Sequence, residues 1–503
     1  MKPRQIAARA GALLSLAAAA LFVASFGAGG SARVDAAGEG QPSSCDAKLT
    51  GVIAPRIMPV QFGGAEDPQF EVGCNAFQEF TYLNWRARGR GIPDYRIGPS
   101  AFGYPVGPNA TYTTVWESYT SPDDLFKTPT GLKNARASAN GVRTLSATSK
   151  ADGDDVHLTG FHQADFGWLT ARTGDLTFYE VRIDNDEADY ITRNGLTAAA
   201  KQQQCAAAGG LSLPDGTKND HDCLGKPATY GLNIGAIELK AAWIELHDPA
   251  KYSRYLISRA NLIYPNGTVR SNVVIGLVGL HVIHKMGPLQ QLSWATFEHV
   301  DNDPDATPYP STPPTAAPAA SPTATPAWTY RNPACVGPYC TVNKYPTPCA
   351  TGNPPGCQRY SYPTQTERVT PQSTFAASNT ATFRGALAKA GARTSVFNYY
   401  RLIDVQWPAG STVIPPGARI PLTEGSPLPR WIVANTTMET YEQSSFACLD
   451  CHSSARAAKG RAPGGRVRIE AVNPAALRRL MAGPSPIPAP YAADYSFVFG
   501  KGK

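Results

Sequence analysis

The run Cys448-Leu449-Asp450-Cys451-His452 has the residue types and spacing for covalent attachment of a c-type haem. Two thiols three residues apart can reach both vinyl groups along one haem edge. The adjoining imidazole then lies under the iron as proximal axial ligand. The same cysteine pair could instead form a disulfide or half of a zinc site. The neighbouring His and an export signal weigh against both, so the expected cofactor is one haem c, held by Cys448 and Cys451 with His452 on the iron.

The second axial position separates carriers from catalysts: a strong ligand suits electron transfer, whereas an open site permits ligand binding or catalysis. Two residues are candidate distal ligands, His281 and Met481. Met481 is the only Met after the motif. It shares one face of an expected helix with Leu477 and Leu480, where a Met ordinarily serves packing. His281 stands in the apolar stretch Val273 to Lys285. If that stretch is a strand, His281 and His284 point to opposite faces, and His281, between Leu280 and Val282, is the more buried. Met438, ten residues before the first cysteine of the motif, is a weaker ligand candidate and is expected to point into the haem-side core. Glu298-His299 raises a further arrangement, a separate metal site made by His281, Glu298 and His299. The plainer expectation for each His is a core imidazole bonded to a polar partner.

The N-terminus reads as an export signal. Lys2, Arg4 and Arg9 precede an apolar run from Ala10 to Phe26, and small residues allow cleavage after Ala32 or Ala36. An uncleaved anchor is the alternative, because the run approaches the ~20 residues needed to span a bilayer. No later segment is long and apolar enough to cross a membrane, so the expected location is periplasmic or otherwise exported. Eight cysteines remain beyond the haem pair, an even number that reads as disulfides in an exported chain. Neighbouring positions suggest Cys45 with Cys74, Cys205 with Cys223, and two bridges among Cys335, Cys340, Cys349 and Cys357. The last four lack the short paired spacing of zinc ribbons, although a structural zinc remains the alternative.

The formal charge of +7 over 503 residues is mild and does not call for nucleic acid. Its distribution says more, because Arg456, Lys459, Arg461, Arg466, Arg468, Arg478 and Arg479 all follow the haem motif. Such groups could hold haem propionates or steer an acidic redox partner; a solvated surface run is the alternative.

The expected fold class is α+β: a β-rich globular body with a C-terminal, mainly helical haem-attachment segment. The boundaries are a signal peptide at 1–36, a body at 37–302, a Pro-rich linker with a Cys-rich insertion at 303–374, and a haem-binding segment at 375–503 packed on the body. A helix is expected from Val72 through Trp85. Alternation at Asp155 to Gln163 suggests a strand. A hairpin is expected from Phe166–Ala171 and Leu176–Ile183 about Thr173-Gly174, and a polar helix from Glu187 to Gln204 broken near Asn194-Gly195. Strands follow at Ala236–Leu246, Tyr252–Ile263, Val269–Lys285 and Ser293–Val300. Later come a helix at Phe383–Lys389 and a strand at Val396–Trp407. Thr436 and Glu439 form a capping box opening a helix through Ser445, with Asn435 as competing cap. A short helix from Pro474 to Gly483 and a strand-like tail from Tyr491 to Phe499 end the chain.

Several phrases resemble a group of large, exported bacterial proteins known as cytochrome c family proteins. They are Phe80-Thr-Tyr-Leu-Asn-Trp85, Ile237-Glu-Leu-Lys-Ala-Ala-Trp243, Val278-Gly-Leu-His-Val-Ile-His-Lys285, Thr296-Phe-Glu-His-Val-Asp-Asn302, Ala434-Asn-Thr-Thr-Met-Glu-Thr-Tyr441 and the terminal Tyr495-Ser-Phe-Val-Phe-Gly500. The resemblance covers most of residues 72–302 and 396–500, and implies one haem per chain and a periplasmic location. It assigns no reaction and no distal ligand. Only 51 residues follow His452, too few to wrap a haem alone, so the preceding body must supply much of the pocket. The leading function is periplasmic electron transfer. The alternative is a haem enzyme, peroxidase- or oxygenase-like, with His281 or His299 as acid/base at an open distal site; a third reading is a sensor that uses haem as reporter. No hydrolase signature such as G-x-S-x-G or H-E-x-x-H is present.

Overall fold

A computed structural model describes residues 68–104, 113–126, 142–146, 167–208, 211–217, 220–287, 289–306, 328–347, 349, 357–407, 433–444, 448, 452, 455, 457–458 and 493–502. The expected signal peptide, the strand at Asp155 to Gln163, Cys451, the basic run after the motif and the helix bearing Met481 lie outside these residues. Four helices matter here: α1 (Pro68–Leu83), α2 (Asn185–Arg193), α3 (Ala199–Ala208) and α4 (Thr374–Lys389). Seven strands form one sheet: β1 (Arg143–Ser146), β2 (Phe178–Ile183), β3 (Ile237–Glu245), β4 (Ile257–Ile263), β5 (Val269–Met286), β6 (Leu289–His299) and β7 (Tyr400–Gln406). The fold is α+β and mostly β.

The long strand β5 is the axis of the sheet. One edge pairs antiparallel with β3, Ile237 opposite His284 and Glu245 opposite Ile275. The other edge is shared: β4 pairs with its first half and β6 with its second. β2 extends the β3 side, and β7 extends the β6 side, bringing a strand from the last quarter of the chain into the body's sheet. From Val274 onward β5 is buried without interruption. A strand covered on both faces reads as a nearly continuous apolar run, which is how Val273 to Ile283 reads.

The two faces carry different loads, because side chains alternate along a strand. Leu280, Val282, Ala295 and Phe297 join α1 and α4 in the main core, where Phe77 stacks on Phe383 at 4.4 Å between ring centroids and Phe80 meets Phe297 at 4.5 Å. The opposite face carries Gly279, His281 and Ile283 of β5 beside Trp294, Thr296 and Glu298 of β6. Residues 433–440 lie against that face.

Local signals account for most element ends. Ser373 caps α4 by accepting the Ala376 N–H, and the helix starts nine residues earlier than its apolar spacing predicts. The polar helix breaks into α2 and α3 where expected, with Gly195 at φ 65°. The expected hairpin closes through the Thr170–Leu176 bridge, with Gly174 N–H donating to Ala171 O.

Three expectations are corrected. Residues 436–444 form turns instead of a continuous helix, because backbone groups that would extend it are committed to the sheet and to neighbouring loops. The tail is a 3-10 turn at Phe497–Lys501, capped by Ser496, and not a strand. Val396–Tyr399 is likewise a 3-10 turn, so the strand begins at Tyr400.

Disulfides join Cys205 to Cys223, Cys335 to Cys340 and Cys349 to Cys357, which settles the four-cysteine stretch as two bridges and not a zinc site. Cys74 is also disulfide-bonded; Cys45, its expected partner, lies outside the described residues. Among the described residues no helix is long and apolar enough to cross a membrane.

Gly279 is the close-approach point between sheet and C-terminal segment. A Cβ there would stand 2.2 Å from Thr437 Oγ1 and 3.0 Å from Asn435 Oδ1. Gly279→Ala is therefore expected to lift residues 435–437 and lower stability by about 1–3 kcal/mol, as overpacking generally does. Urea unfolding measures this, and Thr437→Ala in the same chain should recover part of the loss.

Candidate functional site

The segment before the haem motif is fastened to the sheet by side chains the strand register supplies. Asn435 donates from Nδ2 to Thr296 Oγ1 and to Phe297 O, both at 3.0 Å. Thr436 donates its N–H and hydroxyl to Glu298 Oε1. The phenol of Tyr179 on β2 donates to Thr437 O. Asn435 is the effective cap: its N–H reaches Glu439 Oε2 at 2.7 Å and its Oδ1 accepts the Thr437 N–H at 2.9 Å. The competing cap thus prevails over the Thr436 box, because the Thr436 hydroxyl is already committed to Glu298.

Glu298 is the anchor. Its side chain is fully buried, and it forms an ion pair with Arg368, also fully buried. Arg368 belongs to the expected insertion, yet residues Thr364–Arg368 run through the interior, and Arg368 Nη1 also donates to Ala434 O at 3.2 Å.

Cys448 is buried in a small cluster with Ile283, Leu292, Trp294 and Tyr495. His452 lies beside it, with Trp294 at 4.3 Å and Phe497 at 4.8 Å between ring centroids. Its Nδ1 donates to Tyr495 O at 2.8 Å. The residue as a whole is only partly buried, but its packed ring governs its protonation. Burial, reinforced by Lys240 and His281, pushes the imidazole down to about 4, against the opposing pull of Tyr495 O and Glu439. His452 is therefore neutral at physiological pH, with its proton on Nδ1 and the Nε2 lone pair turned from that bond. A neutral imidazole whose second nitrogen donates to a backbone carbonyl is the form in which His binds metals.

His281 does stand on the haem-motif face. Its cross-strand neighbours are Lys240 and Thr296, and Nε2 is 3.1 Å from Glu439 Oε1. Burial raises the Glu439 carboxyl, but His281 and Lys240 outweigh it and hold the group below its ordinary value. His284 points the other way, as alternation requires, and is the more buried of the two, contrary to expectation, because α1 covers it: Nδ1 is 2.9 Å from Glu79 on α1 and Nε2 2.7 Å from Ile234 O. Met438 is core, packed with Tyr179, Ala242, Val278 and Tyr330.

The proposed His281, Glu298 and His299 metal site does not form. His299 Nε2 donates to Arg254 O, Nδ1 accepts the Asp301 N–H, and the ring stacks on Tyr255 at 3.8 Å. Burial pushes this imidazole down to about 4, so it is a neutral structural residue with both nitrogens in use and is not an acid/base. One trio of metal-capable side chains converges among the described residues: Asp175, Glu245 and His247. Arg270 already bonds Glu245 there at 2.8 Å and lies 3.6 Å from Asp175, supplying the positive charge a cation would bring.

The sequence offered His281 only as a candidate distal ligand; the structure sets it on the same face of the sheet as Trp294, which packs on both Cys448 and His452. Trp294, Lys240 and Glu439 were missed as partners. Trp294 and Lys240 follow from alternation once the register is known, whereas Glu439 was legible only as a capping residue. No family model, curated protein or solved structure matches the chain.

Removing the carboxylate of Glu298 takes away the partner closest to Arg368 and leaves it only the weaker pull of Asp303 and Asp305; breaking a buried pair costs about 3–5 kcal/mol in comparable sites. Glu298→Leu should lower the unfolding free energy by that order. The pair Glu298→Leu with Arg368→Met should restore most of it, read in the same chemical denaturation series.

Proposed function

We propose that this chain is an exported c-type cytochrome that carries one haem and transfers electrons. The observation that carries the reading is His452: its Nδ1–H is spent on Tyr495 O, its imidazole is held neutral, and it adjoins a buried Cys448 in the Cys-x-x-Cys-His run. When bound, haem would supply one-electron redox chemistry at its iron. Cys448 and Cys451 would hold it covalently, and His452 would present Nε2 to the metal. Trp294 and Phe497 wedge the imidazole in place. The resemblance to the monohaem cytochrome c family proteins agrees with this reading, as do the disulfides, which persist in oxidising compartments. The C-terminal segment is then the haem-bearing part, held on the β-rich body through Glu298 and Gly279. An acidic redox partner would suit the basic residues after the motif.

A second reading rests on the His281–Glu439 pair. A carboxylate kept ionised on an imidazole is an acid/base arrangement, and it would serve a haem enzyme with an open distal position. As a sixth ligand, His281 would present its other nitrogen or give up the Glu439 bond; Met481 is the competing ligand.

Exported protein should carry covalently bound haem by its pyridine haemochrome spectrum, and Cys451→Ala should abolish the two-thioether signature. The carrier reading expects a low-spin spectrum in both oxidation states. High-spin ferric iron that binds carbon monoxide rapidly on reduction would favour the enzyme. His281→Ala should convert the spectrum to high spin if that residue is the ligand, and Met481→Ala if that one is.

A further inference from the structure

Two buried carboxyls lie beside the Asp494–Ser496 turn that receives His452 and take no part in holding it. Glu187 opens α2, and Glu238 stands on β3; they are 0% and 5% exposed. The Asp184-x-x-Glu187 pattern ordinarily sends the Glu back to the cap. Here Asp184 accepts the Glu187 N–H at 2.9 Å, but the Glu187 carboxyl has no hydrogen-bond partner other than Glu238, and Glu238 Oε1 has none. The Glu187 side chain turns instead toward Glu238, whose other contact is the Ser496 hydroxyl.

Two adjoining carboxyls without a cation cannot both ionise. The titratable groups around them do not supply one. Lys285 on β5 is committed to Asp494 at 2.6 Å, and Asp184 and Asp186 flank the start of α2. Asp186 is occupied by the Leu232, Ile234 and Gly235 N–H groups. Tyr190 and Tyr495 remain protonated, their phenols raised chiefly by burial. Burial, together with Asp494, pushes Glu238 up to about 7, opposed by Ser496 and Glu187; burial and the neighbouring carboxylates hold Glu187 well above its usual value.

The pair is tied to the haem ligand through three consecutive residues. Tyr495 O takes the His452 Nδ1–H, while Asp494 and Ser496 on either side belong to the carboxyl cluster. Ile283, the cross-strand partner of Glu238, packs with Cys448, Trp294 and Tyr495.

We propose that Glu187 and Glu238 form a redox-linked proton site, binding one proton when the haem gains one electron and releasing it on oxidation. The inference rests on the haem reading. An external one-electron donor would reduce the iron, and a proton from solvent would bond to the Glu238 carboxylate, which before reduction accepts the O–H of protonated Glu187, leaving both carboxyls neutral. Oxidation reverses both transfers. The coupling is electrostatic: reduction removes one positive charge nearby, and in a poorly polarisable interior that raises the proton affinity of the pair.

The test is a potentiometric titration of the full-length holoprotein from about pH 5 to about pH 9, a range spanning free and buried carboxyls. A haemochrome spectrum comes first. Wild-type midpoint potential should fall as pH rises through neutrality, by up to about 59 mV for each tenfold change in proton concentration. Glu238→Gln or Glu187→Gln should flatten that segment. Reduced-minus-oxidised infrared spectra should gain a carboxyl C=O stretch in wild type and lose it in Glu238→Gln. A flat wild-type potential with haem bound overturns the inference, as does a slope unchanged in both Gln variants. If those variants lose haem, the wild-type slope and carboxyl band decide. Absence of haem from wild-type protein would instead sink the reading on which the inference rests.

Discussion

Everything on the haem-motif side of this molecule depends on one buried ion pair. Glu298 on β6 binds Arg368 and takes the Thr436 N–H and hydroxyl, so a charge inside the protein fixes where the C-terminal segment crosses the sheet. A buried pair like this is weak evidence of net stability, because desolvation offsets much of the attraction. Its value is positional. The Thr436 N–H and hydroxyl bond Glu298 and the Ala434 carbonyl accepts from Arg368, so a displaced segment would forfeit three buried hydrogen bonds to charged groups. The same turn orients Glu439 toward His281.

The strand β5 then divides the labour. Its even-numbered residues from Leu280 to His284 face the helices, where aromatic packing supplies the apolar core. Its odd-numbered residues face the C-terminal segment, where Gly279 makes room, His281 meets Glu439 and Ile283 lies against Cys448. One covered strand thereby carries both the body's stability and the environment of the motif. A haem bound here would be part of the main fold and not the cargo of an appended module.

Much of this was legible locally. The β5 strand, its opposed histidines and the break at Asn194-Gly195 follow from two- and 3.6-residue periods and from Gly chemistry. The Cys205–Cys223 bridge follows from proximity in sequence. The failures share a cause. At residues 436–444 and in the tail, local propensity pointed to a helix and a strand, but distant partners claimed the backbone and side-chain groups those elements needed.

By itself, the sequence determined what spacing can express: two thiols and an imidazole close enough together to serve one bound group, a set of bridging cysteines, and the face on which His281 must lie. Spacing works because bond lengths and strand alternation act over a few residues. Tertiary structure decided which groups meet across long separations: Thr436 with Glu298, 138 residues apart, His281 with Glu439, 158 residues apart, and His452 with the Tyr495 carbonyl. Those meetings turn on burial, which charges or neutralises a group according to what surrounds it, and no local pattern encodes that surrounding.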